Sequence, residues 1–230
     1  MPIELIVFDM AGTTVYDGDM VNIGLREALA AADTPVTHDE INAVMGIAKP
    51  VAIRTLLQAK SPLNAAVLED KVQAIYADFL ARMLHHYRNS PELREVDCAS
   101  DTFRRLKAAG IKIALDTGFS RPIADAIIDR LGWQRDGLID TSVTSDEVVN
   151  GRPYPDLIYK AMALTGVNEA ASVAKVGDTP VDLQEGRAAG CGLVIGITSG
   201  SHTREELLPY PHTHLIHTLP ELLTLLLNVL

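Results

Sequence analysis

Residues 3–15, IELIVFDMAGTTV, form one apolar run that stops on Asp9 and then turns through Ala11, Gly12, Thr13 and Thr14. A short continuous apolar run closed by a glycine turn reads as a strand buried on both faces, as in a parallel sheet. Three more runs of this kind follow, IKIALDTG (111–118), SVAKVGD (172–178) and CGLVIGITSG (191–200), with a weaker one, GLIDTSVTS, at 137–145. The spacing between them is helical, in DTFRRLKAAG, SRPIADAIIDRLGW and PDLIYKAMALTGV. Strands alternating with helices predict an α/β protein with a five-stranded parallel sheet.

The stretch from 17 to 91 differs. DMVNIGLREALAAA, THDEINAVMG, PVAIRTLLQAK and NAAVLEDKVQAIYADFLARMLHHYR are all helical in period and carry few strand signals. The expected organisation is therefore a core made of 1–16 and 92–230 with an inserted helical unit at 17–91. The insert begins at YDGD (16–19), which reads as a hinge, because a calcium loop would need further ligands.

Bulk composition narrows the function. The chain has 230 residues, 47% of them hydrophobic and 22% charged, as ordinary folded proteins do. A formal net charge of -10 opposes a general nucleic-acid or anionic-membrane surface, so an anionic small substrate needs a local positive pocket. Cys98 and Cys191 have no disulfide or zinc spacing, and no signal-peptide pattern opens the chain, which fits a cytoplasmic protein. The apolar LLTLLLNVL at 222–230 is too short to span a bilayer and reads as a packed last helix, with room for a homodimer. Histidines 202, 212, 214 and 217 cluster near it without a third ligand in reach, so no metal is assigned there, and the segment reads as a surface loop followed by a final strand and helix.

In open parallel sheets, ligands collect at the carboxyl ends of the strands. The groups expected there are Asp9, Thr117 with Gly118, Arg152 from GRPYP, and Asp178 with Asp182 from GDTPVD. Phosphoryl transfer calls for this inventory: a nucleophilic carboxylate, hydroxyl and backbone N–H donors, a cation, and carboxylates to hold Mg²⁺ against an anionic substrate. FDMAGTT, LDTG, GRPYP and KVGDTPVDLQEGRAAG resemble the four motifs of the haloacid dehalogenase superfamily, whose helical cap falls where the insert lies. The resemblance implies a Rossmann-like core, Mg²⁺ dependence and an aspartyl-phosphate intermediate on Asp9. It implies Asp9, the Ala11 carbonyl and Asp178 as metal ligands with Asp182 in support, and Thr117, Gly118 and Thr13 around the phosphoryl group.

Ala11 departs from most phosphatases of that superfamily, which carry an acid at this position to protonate an alkoxide leaving group. Together, DMAGTT and GRPYP are similar to the narrower phosphonatase (phosphonoacetaldehyde hydrolase) branch. That likeness implies a leaving carbon, whose electrons are taken up by an imine formed between the substrate aldehyde and a cap lysine. VMGIAKPVAIRTLL supplies Lys49, with Met45 and Gly46 ahead of it as substrate-binding residues. Pro50 fits a first helical turn, which puts Lys49 at a helix N-terminus, where the dipole would lower its pKa. Ala52 and Phe119 stand where the branch usually has histidine and tyrosine, so proton handling must differ. Two other readings compete: a phosphatase of a small phosphoester with an acid from the cap, and a receiver-like module that stores a phosphoryl group on aspartate.

Overall fold

The computed structural model describes residues 2–60 and 64–227. In chain order the elements are β1 (Leu5–Asp9), α1 (Met20–Ala31), α2 (His38–Asn42), α3 (Lys49–Lys60), α4 (Ala65–Asn89), α5 (Ala99–Ala108), β2 (Lys112–Thr117), α6 (Arg121–Leu131) and β3 (Thr141–Thr144). They continue with α7 (Asp156–Thr165), β4 (Val173–Gly177), α8 (Pro180–Ala189), β5 (Leu193–Ile197), α9 (Arg204–Leu207), β6 (His214–Ile216) and α10 (Glu221–Leu227).

The strands form one parallel sheet in the order β3-β2-β1-β4-β5-β6, an α/β Rossmann-like core. The sheet has six strands where the sequence suggests five. The sixth, HLI, is too short to leave a periodic signal of its own, and it pairs with β5 inside the histidine-rich segment. The last three residues of LLTLLLNVL lie outside the described residues.

Alternation along β1 shows why a continuous apolar run is needed. Leu5 and Val7 join the core that holds Leu157 and Ala161 of α7, while Ile6 and Phe8 face the opposite core. There Phe8 meets Phe103 at 5.2 Å between ring centroids, and Phe103 meets Trp133 at 5.4 Å. Both faces of the strand are thus covered, and a polar residue could be spared only at its end.

Helices α1 to α4 follow β1 directly. Val72, Phe79 and Met83 on α4 are buried in one cluster with Leu25 of α1 and Ile53 of α3. Helix α4 also packs on α6, which ties this helical segment to the sheet. No helix among the described residues is long and apolar enough to cross a membrane.

Candidate active site

Asp9 ends β1, Thr117 ends β2, and Asp178 follows Gly177 at the end of β4. β1 lies between β2 and β4, where the strand order reverses, so three carboxyl ends open on one crevice. A pocket at this point is lined by Asp9, Ala11, Thr117 and Gly118 from the sheet side and by Met45, Gly46 and Lys49 from the helical segment.

Asp178 is held from several directions. Thr13 Oγ1 donates to its Oδ1 at 3.0 Å and the Ser201 N–H to its Oδ2 at 2.6 Å. Gly12, at φ +87°, is pressed so close that a Cβ there would lie 2.3 Å from Oδ2, so only glycine lets the β1 turn reach this carboxylate. The Thr13 hydroxyl is therefore engaged with Asp178, and Thr13 is buried and not among the pocket-lining residues. Asp182 sits in the first turn of α8, where its Oδ2 accepts from the Thr179 N–H at 3.1 Å and from Thr179 Oγ1 at 2.5 Å. Carboxylate oxygens of Asp9, Asp178 and Asp182 lie within 4.8 Å of one another, a spacing that suits one cation.

Behind this trio stands a buried ion cluster. Arg152 is 4% exposed, and its guanidinium reaches Asp9 at 2.6 Å, Asp182 at 3.1 Å, Glu185 at 3.0 Å and also Asp116. Lys175 Nζ meets Asp182 at 3.2 Å, Glu185 at 3.1 Å and also Asp116. Burial works against both positive charges, and Arg152 and Lys175 repel one another, yet the carboxylates hold both protonated, above their ordinary pKa values. Burial pushes the Asp9 carboxyl up while Arg152 pulls it back, and burial together with Asp116 pushes Glu185 up. Asp182 goes the other way, because Arg152 and Lys175 outweigh its burial.

Arg152 thus touches Asp9 and does not itself line the pocket. Lys175, Asp116 and Glu185 lie within the quoted motifs LDTG and KVGDTPVDLQEGRAAG, but the motif reading assigns them no role. The available signal is Lys175 itself, a charge at the centre of a strand whose neighbours are all buried, which demands buried partners.

Lys49 opens α3 and is 4% exposed. Its Nζ folds back to donate to the Ile47 carbonyl at 3.4 Å and stands 5.6 Å from the centroid of the Phe119 ring. Burial draws its pKa down to about 8, with Asp9 and Asp17 opposing. Desolvation is thus the main cause of the shift, where the sequence suggests the helix dipole.

The loop carrying Lys49 is seated by glycines. Gly46, at φ +82°, lies against α8, and a Cβ would come 2.5 Å from Val181 Cγ2 and 2.6 Å from Thr179 Oγ1. A Cβ on Gly118 would come 2.7 Å from the Gly46 and Ile47 carbonyls. Gly46→Ala should therefore lift the loop from the strand ends and lower kcat/KM by about 10²-fold, the usual cost of a misplaced reacting group. Steady-state kinetics beside an unchanged circular dichroism spectrum would check this. Unchanged kinetics would show that Gly46 does not seat Lys49.

A family model described as haloacid dehalogenase-like hydrolase matches residues 3–190. The chain belongs to the haloacid dehalogenase-like hydrolases. Among its relatives in this family, a phosphonoacetaldehyde hydrolase of Bacillus cereus is 32% identical over 224 residues, covering 90% of this chain and 81% of the relative. That similarity puts this haloacid dehalogenase-like hydrolase on the phosphonatase-like branch. Solved structures agree on the fold. A phosphonoacetaldehyde hydrolase-like protein from Oleispira antarctica superposes with a TM-score of 0.83 at 21% identity, covering 99% of this chain and 92% of its own. A predicted phosphoglycolate phosphatase from Haemophilus somnus 129PT superposes at 0.79 with 20% identity, covering 97% of each chain.

Family membership and geometry meet in the acidic site. Haloacid dehalogenase-like hydrolases generally use Mg²⁺. The buried carboxyls here are Asp9, Asp116, Asp178, Asp182 and Glu185, against only Arg152 and Lys175 in the same cluster. Such an excess of buried carboxyl groups over buried cations fits a divalent cation, which favours their ionised forms.

Proposed function

We propose that this hydrolase cleaves the carbon-phosphorus bond of phosphonoacetaldehyde or a closely related small phosphonate. The observation that carries this reading is the meeting of Lys49 and Asp9 in one pocket that is also lined, at the position of the usual acid, by Ala11. An amine with a pKa of about 8 has an appreciable free fraction near neutrality, which condensation with an aldehyde requires. Residues 17–91 would act as the cap that closes this chamber over the core, excluding water while the imine exists.

Asp9, Asp178, the Ala11 carbonyl and, in support, Asp182 would hold Mg²⁺. When bound, Mg²⁺ supplies charge neutralisation at the phosphoryl oxygens. Lys49 condenses with the aldehyde. Asp9 then attacks phosphorus, and the electron pair of the carbon-phosphorus bond passes into the imine to give an enamine. Arg152 keeps the Asp9 carboxylate oriented from behind, while Thr117 and Gly118 donate to the phosphoryl oxygens. The Phe119 N–H already bonds Thr117 Oγ1 at 3.1 Å, which leaves that hydroxyl hydrogen free to point into the pocket. Met45 and Gly46 bound the substrate from the helical side.

The test is phosphate release from phosphonoacetaldehyde with Mg²⁺, repeated with borohydride and followed by mass spectrometry of the Lys49 peptide. Phosphate together with a reduced adduct on Lys49 is the expected result. Normal turnover by Lys49→Arg, with no adduct in the parent protein, would remove the imine from the mechanism. A small phosphoester is the alternative substrate, and its hydrolysis in place of the phosphonate would decide for it. A phosphorylated Asp9 that never turns over would instead mark a receiver-like module.

A further inference from the structure

Ala11 and Ala52 leave the pocket without an acid–base group at either expected position, yet proton transfers remain to be made there. The structure supplies a carboxyl from the loop that leads into α1. Asp17 lines the same pocket as Asp9, Lys49 and Phe119. It also lines an adjoining cavity of about 290 Å³ together with Asp19 and His38, and so borders both spaces.

The side chain of Asp17 is not used up by the fold. Its Oδ2 accepts one long hydrogen bond, from the Val21 N–H at 3.5 Å, and its Oδ1 is sealed from solvent without a hydrogen-bond partner. A buried carboxyl oxygen left unpaired in a substrate pocket is costly unless something else satisfies it. The surroundings tie it to Lys49: the Phe119 ring under Nζ meets the ring of Tyr87 edge-on at 5.8 Å. The buried Tyr87 hydroxyl is the neighbour that can answer the unpaired Asp17 oxygen: it makes no well-formed hydrogen bond, but Asp17 acts on it both by charge and as a hydrogen-bonding group.

We propose that Asp17 is the acid–base group of this pocket, acting on the carbinolamine that Lys49 forms with the substrate aldehyde. This deepens, and rests on, the imine chemistry proposed for Lys49. Asp17 as the acid gives its proton to the carbinolamine oxygen; the carbon-oxygen bond breaks, water leaves, and the nitrogen lone pair closes the C=N bond. After the carbon-phosphorus bond has broken and the enamine carbon has been protonated, the Asp17 carboxylate takes a proton from the water that adds to the iminium carbon. Lys49 and acetaldehyde then separate, and Asp17 is an acid again. The enamine carbon takes one proton from water, and hydrolysis of the phospho-Asp9 acyl phosphate returns one to water, so the cycle is balanced.

The protonation state suits this task. Burial raises the Asp17 carboxyl to about 7, with the Val21 N–H opposing, Asp178 and Asp19 adding to the rise, and Lys49 pulling it down. The productive form pairs acidic Asp17 with free Lys49, which titrates at about 8. One group is lost and the other gained as pH rises, so activity should be bell-shaped, with its maximum between the two.

The test uses the full-length protein with phosphonoacetaldehyde and Mg²⁺ from pH 6 to 9.5, comparing the parent with Asp17→Asn and Asp17→Glu. The rates measured are phosphate release and formation of the borohydride-trapped Lys49 adduct. Asp17→Asn should slow both by about 10²- to 10³-fold and replace the bell by a single rise, while Asp17→Glu recovers a tenth or more of the rate. A purely structural role would leave the shape of the profile unchanged. A parent that forms the adduct while Asp17→Asn stays within about threefold with its bell intact would overturn the proposal alone. A parent that forms no Lys49 adduct would overturn both the imine chemistry and the role of Asp17 in it.

Discussion

Asp9→Asn should abolish phosphate release, lowering kcat by at least about 10⁴-fold, because loss of a nucleophile leaves only binding and electrostatic assistance. The amide can neither attack phosphorus nor form the acyl phosphate. Acid quenching of the parent during turnover should trap a phosphorylated peptide containing Asp9, and the variant should give none. The fold should survive, since Arg152 keeps its contacts with Asp116, Asp182 and Glu185. A variant that still accumulates acid-stable phosphopeptide would place the nucleophile elsewhere.

The second large effect concerns stability. Lys175→Met should cost about 3–5 kcal/mol, the range found when one partner of a buried ion pair is removed and the other stays. Its Nζ serves Asp116, Asp182 and Glu185 at once, and all four residues are fully buried. Without it those carboxylates keep only Arg152. Glu185→Gln should cost far less, because burial and Asp116 already push that carboxyl toward its neutral form, which glutamine imitates. Urea unfolding of the three proteins measures the difference. Equal unfolding free energies for Lys175→Met and the parent would mean that the cluster rearranges to do without this cation.

These two residues mark how legible the protein is from its sequence. Asp9 can be picked out because a charge at the end of an otherwise apolar strand stands out against its own neighbours. Lys175 carries the same kind of local signal, but nothing local says which carboxylates answer it. Asp116 lies on β2 and Glu185 on α8, and only the sheet order brings them to β4. The helical period of 17–91 announces α1 to α4 well, apart from the edges of the elements. The short β6 is read only as a final strand after the histidine-rich loop and not counted in the sheet, because three residues cannot show alternation.

Lys49 and Asp17 show where reading along the chain stops. Their residue types and the absence of an acid at Ala11 are sequence facts, and the likeness to the phosphonatase branch follows from them. That Asp17 of YDGD lines the pocket is not visible in the residues, because an aspartate in a polar turn is ordinarily solvated. The tertiary structure puts Asp17 into the lining of one pocket with Phe119 and Lys49 and seals its Oδ1 from the water that would otherwise satisfy it.

The sequence by itself determined the alternation of strands and helices, the order of the strand-end groups and the choice of alanine at position 11. All of these depend on neighbours a few residues apart. The tertiary structure decided which charges share a buried cluster, that Lys49 owes its lowered pKa chiefly to burial, and that Asp17 faces the reaction chamber. Desolvation and ion pairing depend on what covers a side chain, and here the covering groups come from strands and helices far apart along the chain.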